Sequence, residues 1–310
     1  MKILSAEDLQ ASLDYPSTAD ALEAGLRSDI TVPDRNHLSI PAETGPDMTM
    51  LLMPAWDGDN FFGVKLVVVA PNNASRDLPA VQATYQLFDR VTGEPVALID
   101  GGELTARKTA ASSALASRYL SRENSASLLM VGTGVLAPHL IAAHASVRPI
   151  ERVLVWGRNP DKAAAVVDGL GDLEAKISVA EDLDAAVSEV DIISCATLAH
   201  DPLVRGELLK AGQHLDLVGA FTPDMREADD DCLTRSRIYV DTEEAIKKVG
   251  ELCDPIARGV IAESDVVADM FQLARGQVLG RGDADEITLY KSAGSALLDL
   301  AAAMLAFERA

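Results

Sequence analysis

The chain has 310 residues, 48% hydrophobic and 24% charged, which is enough apolar material for a core and excludes intrinsic disorder. At about 150 residues per domain this length predicts two domains. Lys and Arg total 27 against 48 Asp and Glu, a net charge of −21. That charge argues against nucleic acid and anionic membranes as partners, so an anionic ligand needs local cations and helix N-termini.

Ser5-Ala-Glu-Asp8 has the form of a capping box opening a short helix. A second amphipathic helix is expected from about Thr18 to Ile30. The opening residues turn polar too early for a signal peptide. No apolar run approaches the roughly 20 residues of a membrane span; Phe61–Ala70 comes nearest and carries Lys65. Cys195, Cys232 and Cys253 follow neither disulfide nor zinc spacing and read as buried or half-buried thiols of a reducing cytoplasm. His139 and His144 miss the i, i+4 spacing of a helical metal pair. No metal is expected.

Between Met48 and Ile99, Thr49–Pro54, Phe61–Ala70, Val81–Asp89 and Pro95–Ile99 are short and β-rich. Turn residues at Asp57–Asn60, Pro71–Asn73 and Thr92–Glu94 separate them. They predict an antiparallel or mixed sheet with a hairpin over Asp89–Val96. A long helix follows over Glu103–Leu120. Strands at Ser127–Val131, Arg152–Trp156, Ala175–Val179, Asp191–Ala196, His214–Val218 and Arg237–Val240 then alternate with helices such as Val135–Val147 and Pro160–Leu170. That alternation predicts a doubly wound parallel sheet. Ala293–Arg309 closes the chain as a helix.

Leu128-Leu-Met-Val runs into Gly132-Thr-Gly134-Val-Leu-Ala137, a G-x-G-x-x-A loop between a strand and a helix. Gly132 permits the tight turn, Gly134 admits a pyrophosphate close to backbone, and Ala137 lets the helix pack on the sheet. In a βαβ setting this predicts dinucleotide binding. The next strand ends Val155-Trp156-Gly157-Arg158-Asn159-Pro160, without the carboxylate that accepts from an NAD ribose. Arg158 is placed to meet a 2′-phosphate, so NADPH is expected over NADH; a solvated surface arginine is the alternative.

Cations inside apolar sequence form the second signal. Lys65 interrupts Gly63-Val-Lys-Leu-Val and, if the strand alternates, shares a face with Gly63 and Val67; a lysine on an edge strand is the alternative. Arg35 lies in a loop before the sheet. Arg107 and Lys108 are neighbours on the long helix and cannot face the same way. With no G-x-S-x-G elbow, the residues favour a reductase acting on a small carboxylate held by cations.

Leu104-Thr-Ala-Arg-Lys-Thr-Ala-Ala111, the Gly132–Ala137 loop, Ala196-Thr197-x4-Pro202, Glu286-Ile-Thr-Leu-Tyr-Lys-Ser-Ala-Gly294, Arg35, Lys65 and Pro79-Ala-Val-Gln82 together resemble the ornithine cyclodeaminase/mu-crystallin family. The resemblance covers nearly the whole chain. It implies an α/β fold, a Rossmann doubly wound sheet (111–292) inserted in a smaller α+β substrate-binding and dimerisation domain (1–110 with 293–310). It also implies a homodimer. Cyclodeaminases carry a catalytic Asp where this chain has Phe221, in Val218-Gly-Ala-Phe-Thr-Pro-Asp-Met-Arg-Glu227. That segment, with Ala-Pro-His139 and Val-Trp-Gly-Arg158, is similar to the family's bacterial ketimine reductases, which reduce Δ1-pyrroline-2-carboxylate to L-proline and often the six-membered piperideine analogue. The family's usual Arg is Lys108 here, which keeps the charge and loses the bidentate fork. The resemblance implies Lys65, Arg35 and Lys108 as catalytic residues and Phe221 as substrate-binding. It implies the same for Glu251, with a surface carboxylate as the alternative. The implied cofactor set is Thr109, Gly132, Thr133, Gly134, Val135, Leu136, Ala137, Arg158, Asn159, Lys162, Thr197, Val218 and Ser292. Cyclodeaminase, alanine- or opine-type dehydrogenase and non-catalytic ligand binding are the other activities the family admits.

Overall fold

The computed structural model describes residues 1–310 except 44, 59, 77 and 172, with only the backbone of 74 and 75. Asp59, in one of the expected turns, lies outside the described residues. The chain forms two compact units, Met1–Thr109 with Ser295–Ala310, and Ala110–Gly294.

In the first unit, β1 (Lys2–Leu4), α1 (Ala6–Ser12), α2 (Tyr15–Arg27), β2 (Asn36–Ile40), β3 (Met48–Trp56), β4 (Phe61–Val69), β5 (Val81–Asp89) and β6 (Pro95–Asp100) precede α3 (Gly101–Leu120), which continues into the second unit. The sheet order is β1-β6-β5-β4-β3-β2. It is mixed, as the sequence allowed: β1 runs parallel to β6 and the other pairs are antiparallel.

Ser5 and Asp8 form the expected capping box on α1. The second helix starts at Tyr15 rather than Thr18. Asp14 caps it through Ser17 N–H, and Pro16 sits in the first turn, where its missing N–H costs nothing. It ends at Arg27, short of Ile30, because Ser28 turns extended while its N–H still reaches back to the last carbonyls. The β5–β6 hairpin closes through Asp89, whose carboxylate accepts from the Val91 and Thr92 N–H groups. Gly93 there takes φ +74°, a conformation open to glycine.

The C-terminal helix (Ala296–Arg309) packs on α2. A Cβ on Gly25 would lie 3.1 Å from the Ala301 methyl, so small residues on both helices set this close approach.

The second unit contains β7 (Ser127–Val131), α4 (Leu136–Val147), β8 (Arg152–Trp156), α5 (Pro160–Gly169), β9 (Lys176–Val179), α6 (Leu183–Val187), β10 (Ile192–Cys195), β11 (His214–Leu217), α7 (Asp230–Thr234), β12 (Arg237–Val240), α8 (Glu243–Lys248), α9 (Gly250–Ala257), β13 (Val266–Asp269), α10 (Met270–Ala274) and β14 (Thr288–Lys291). Its eight strands run in the order β13-β12-β14-β11-β10-β7-β8-β9, all parallel. This is the doubly wound sheet that the alternation predicted. The chain leaves β7 toward β8 on one side and returns to β10 on the other. The topological switch point therefore lies between β7 and β10, where such sheets bind ligands. Leu129, Val131, Ile193, Leu215, Leu217 and Leu289 are buried within the sheet's core. No helix among the described residues is long and apolar enough to cross a membrane.

Candidate active site

Gly132 follows β7 with φ +127°, and a Cβ there would sit 2.5 Å from the Ala196 carbonyl oxygen at the end of β10. Both conformation and space demand glycine, at the switch point itself. Gly134 is exposed, and among the described residues no atom beyond its chain neighbours lies within 4 Å of the position its Cβ would take, so the space beside it is open to a ligand. Val135, the residue before α4, gives the helix no side-chain cap, leaving its first amides for an anion. Thr133 packs on Gly157, where a Cβ would stand 2.6 Å from its methyl. Leu136 is half-buried and Ala137 is buried.

Arg158 and Lys162 are exposed at the end of β8 and the start of α5. Neither side chain has a hydrogen bond or ion pair among the described residues. In a chain this acidic, two unpaired cations beside the loop are available to a phosphate. Asn159 is already committed: its side-chain oxygen accepts from Asp161 and Lys162 N–H and caps α5.

The loops after β10 and β11 are tied by a residue that sequence reasoning did not single out. The Glu227 carboxylate is buried and accepts from Thr197 N–H at 2.7 Å, Thr197 Oγ1 at 2.9 Å, Gly219 N–H at 2.7 Å and Ala220 N–H at 3.3 Å. Glu251 in turn accepts from the backbone N–H groups of Glu227 and Ala228. The surface-carboxylate alternative for Glu251 falls, because its side chain is wholly buried and holds backbone in place. Burial pushes its carboxyl up to about 7, with Lys291 opposing and Glu227 adding to the rise. The Ser292 hydroxyl donates to Asp241, whose same oxygen takes the Ala293 and Gly294 N–H groups. Val218 is half-buried, and its N–H donates to the Cys195 carbonyl. Phe221 is 55% exposed, Leu198 65% and Val135 78%. These three apolar side chains follow β11, β10 and β7, adjacent strands of the sheet.

In the first unit, β4 alternates as expected and buries Gly63, Lys65 and Val67. Lys65 pairs with Met53 on one side and Tyr85 on the other, so its strand is interior to the sheet and the edge-strand alternative falls. Gly63 makes room for Tyr85, whose hydroxyl lies 2.3 Å from where a Cβ would stand. Lys65 Nζ is 2.6 Å from Asp299 Oδ2, and Lys108 Nζ is 3.5 Å from Asp299 Oδ1. All three side chains are at most 5% exposed. Burial pushes the Lys65 ammonium down to about 8; Asp299 opposes the fall, and Lys108 and Arg35 add to it. Burial alone would raise the Asp299 carboxyl, but Lys108 and Lys65 hold it below the usual carboxylate range. Arg35 is half-buried in the loop before β2. Arg107 faces away from Lys108, paired with Glu103 and donating to the Leu13 carbonyl. Thr109 is half-buried at the end of this unit's part of α3.

Sequence reasoning missed Asp299, Tyr85, Glu227 and Asp241. Asp299 was detectable by the rule that found Lys65: it is one acid in the apolar helix Ala296-Leu-Leu-Asp-Leu-Ala-Ala-Ala303.

A glycine loop at the switch point, an uncapped helix N-terminus and unpaired cations at the next strand define a dinucleotide-binding Rossmann protein. The chain belongs to the ornithine cyclodeaminase/mu-crystallin family, whose sequence model matches residues 1–310. It is 41% identical to a Δ1-pyrroline-2-carboxylate reductase of Paracoccus denitrificans, over 92% of this chain and 90% of that protein. Among solved structures it is similar to Thermococcus litoralis Δ1-pyrroline-2-carboxylate reductase in complex with NADH and L-proline. That likeness has a TM-score of 0.93 at 32% identity, covering 100% of this chain and 97% of the other. It also resembles an archaeal alanine dehydrogenase dimer with bound NAD, TM-score 0.91 at 28% identity, covering 100% and 95%.

Proposed function

We propose that this protein reduces Δ1-pyrroline-2-carboxylate, or its six-membered homologue, to the cyclic amino acid with NADPH. The chain is an imine-reducing oxidoreductase; the proposal adds the substrate and the phosphorylated cofactor. The observation that carries it is Lys65, a buried ammonium brought to about 8 amid further cations. Such a group is charged at neutral pH and releases its proton readily.

The residues present fit the cofactor. Gly132, Thr133 and Gly134 with the free amides of α4 would hold the pyrophosphate. Arg158 and Lys162 would meet a 2′-phosphate. Val135, Leu198 and Phe221 offer the apolar surface a nicotinamide ring needs. When bound, the reduced nicotinamide supplies hydride. Lys65 delivers or holds the proton on the imine nitrogen, because an iminium carbon accepts hydride far better than a neutral imine. Arg35 and Lys108 bind the substrate carboxylate, which is chiefly an orientation effect. Glu227 fixes the loops carrying Thr197 and Gly219.

Phe221 speaks against cyclodeaminase activity, since a phenyl ring can neither activate water nor hold an ammonium. The deciding experiment follows NADPH and NADH oxidation with the five- and six-membered imino acids. Turnover with neither imine, together with turnover of keto acids plus amines, would move the assignment to an alanine- or opine-type dehydrogenase. The first unit is read as the substrate-binding and dimerisation domain, and the protein as a homodimer; the archaeal alanine dehydrogenase neighbour is a dimer.

A further inference from the structure

We propose that Asp299 is a positioning residue that supplies the shared counter-charge holding both Lys65 and Lys108 in place for the reaction. The inference rests on the imine-reductase reading and adds a residue to it. Asp299 sits on the C-terminal helix, wholly buried, with one oxygen 2.6 Å from Lys65 and the other 3.5 Å from Lys108. A carboxylate in an apolar helix interior is costly unless it is paired. Here one acid faces two cations, so the cluster keeps a net positive charge suited to a substrate carboxylate.

The groups around Lys65 come from every side. Asp299 approaches from the C-terminal helix, Lys108 from α3, Arg35 from the loop before β2 and Tyr85 from β5. Of these only Asp299 favours a charged Lys65. The Tyr85 hydroxyl is buried without a hydrogen-bond partner among the described residues, and burial followed by the charge of Asp299 keeps it un-ionised. Burial and the two other cations push Lys65 toward losing its proton, and Asp299 holds it back. Asp299 thus acts through Lys65 and Lys108 without touching substrate.

The test is the pH dependence of kcat for the wild type, Asp299→Asn, Asp299→Glu and Lys108→Met. The wild type should lose activity as pH rises through about 8. In Asp299→Asn this alkaline limb should move down by at least about one pH unit, so kcat at pH 8 falls by about tenfold or more while acid-side activity is largely kept. Asp299→Glu should restore the limb. Lys108→Met removes a neighbouring cation, so the limb should move up.

A uniform loss at all pH values with an unmoved limb would make Asp299 merely structural and overturn the inference. If Asp299→Asn does not fold, Asp299→Ser removes the same charge, and an unmoved limb there overturns the inference equally. If the wild type turns over neither imine, the proposed function fails and melting decides the inference alone. The rise of stability with pH that deprotonation of Lys65 produces should then begin at lower pH in Asp299→Asn; an unchanged onset would refute it.

Discussion

Lys65→Met should abolish imine reduction while the protein stays folded and still binds NADPH. Methionine nearly matches the volume of the lysine stem, so packing changes little. The pKa of the ammonium falls from 10.5 to about 8, which at about 1.4 kcal/mol per unit makes the charged form about 3.5 kcal/mol unfavourable in the fold, with the attraction of Asp299 at 2.6 Å already counted in that net shift. Removing the ammonium relieves this cost, and Lys108 at 3.5 Å stays beside Asp299. The mutant should therefore be no less stable than the wild type at neutral pH, with an equal or higher melting temperature. The loss of kcat should be large, about 10²–10⁴-fold for a general acid. Steady-state NADPH oxidation measures kcat, and fluorescence titration of NADPH measures cofactor affinity. The pH dependence of stability gives an independent check. The unfolded chain holds this proton up to 10.5 and the fold only up to about 8. Between those values the unfolded state binds more protons, so wild-type stability rises with pH across that window, and the destabilising contribution is complete below it. Lys65→Met should lack that rise. Near wild-type kcat in the mutant would refute the role of Lys65. A loss confined to KM would leave it only a carboxylate ligand.

Arg158→Asp should lower kcat/KM for NADPH by at least about tenfold and leave NADH use little changed, because it replaces a phosphate donor with a repelling charge; an unaltered KM for NADPH would show that Arg158 does not contact the cofactor. Ornithine with NAD should release no ammonia, and measurable release would remove Phe221 as a discriminator. Light scattering of the purified protein should give twice the mass of one chain; a monomer mass would refute the dimer.

Much of the second unit was legible because its physics is local. Ser127–Val131, Arg152–Trp156 and Arg237–Val240 are apolar runs between turn residues, and each is a strand with the expected bounds. The G-x-G-x-x-A loop declares itself because backbone conformation and close approach leave few other residues possible at Gly132. β2 was hidden because it carries no side-chain pattern: four of its five residues are exposed, and pairing with β3 alone makes it a strand. β1 was hidden because three residues carry too little pattern, and its partner β6 lies far along the chain. The burial of Glu251 was hidden for a related reason. Its buried carboxylate is balanced by backbone amides, which no sequence displays as partners. The Lys65 cluster lies between these cases. A buried ion pair appears in sequence as two separate anomalies, a lone cation in an apolar strand and a lone acid in an apolar helix. Each can be found by itself. Joining them requires knowing that the C-terminal helix packs beside β4 after the whole second unit has intervened, and that is a property of topology. The charge rule nevertheless holds in both directions: a buried Lys demands an acid, and Asp299 is the acid that satisfies it.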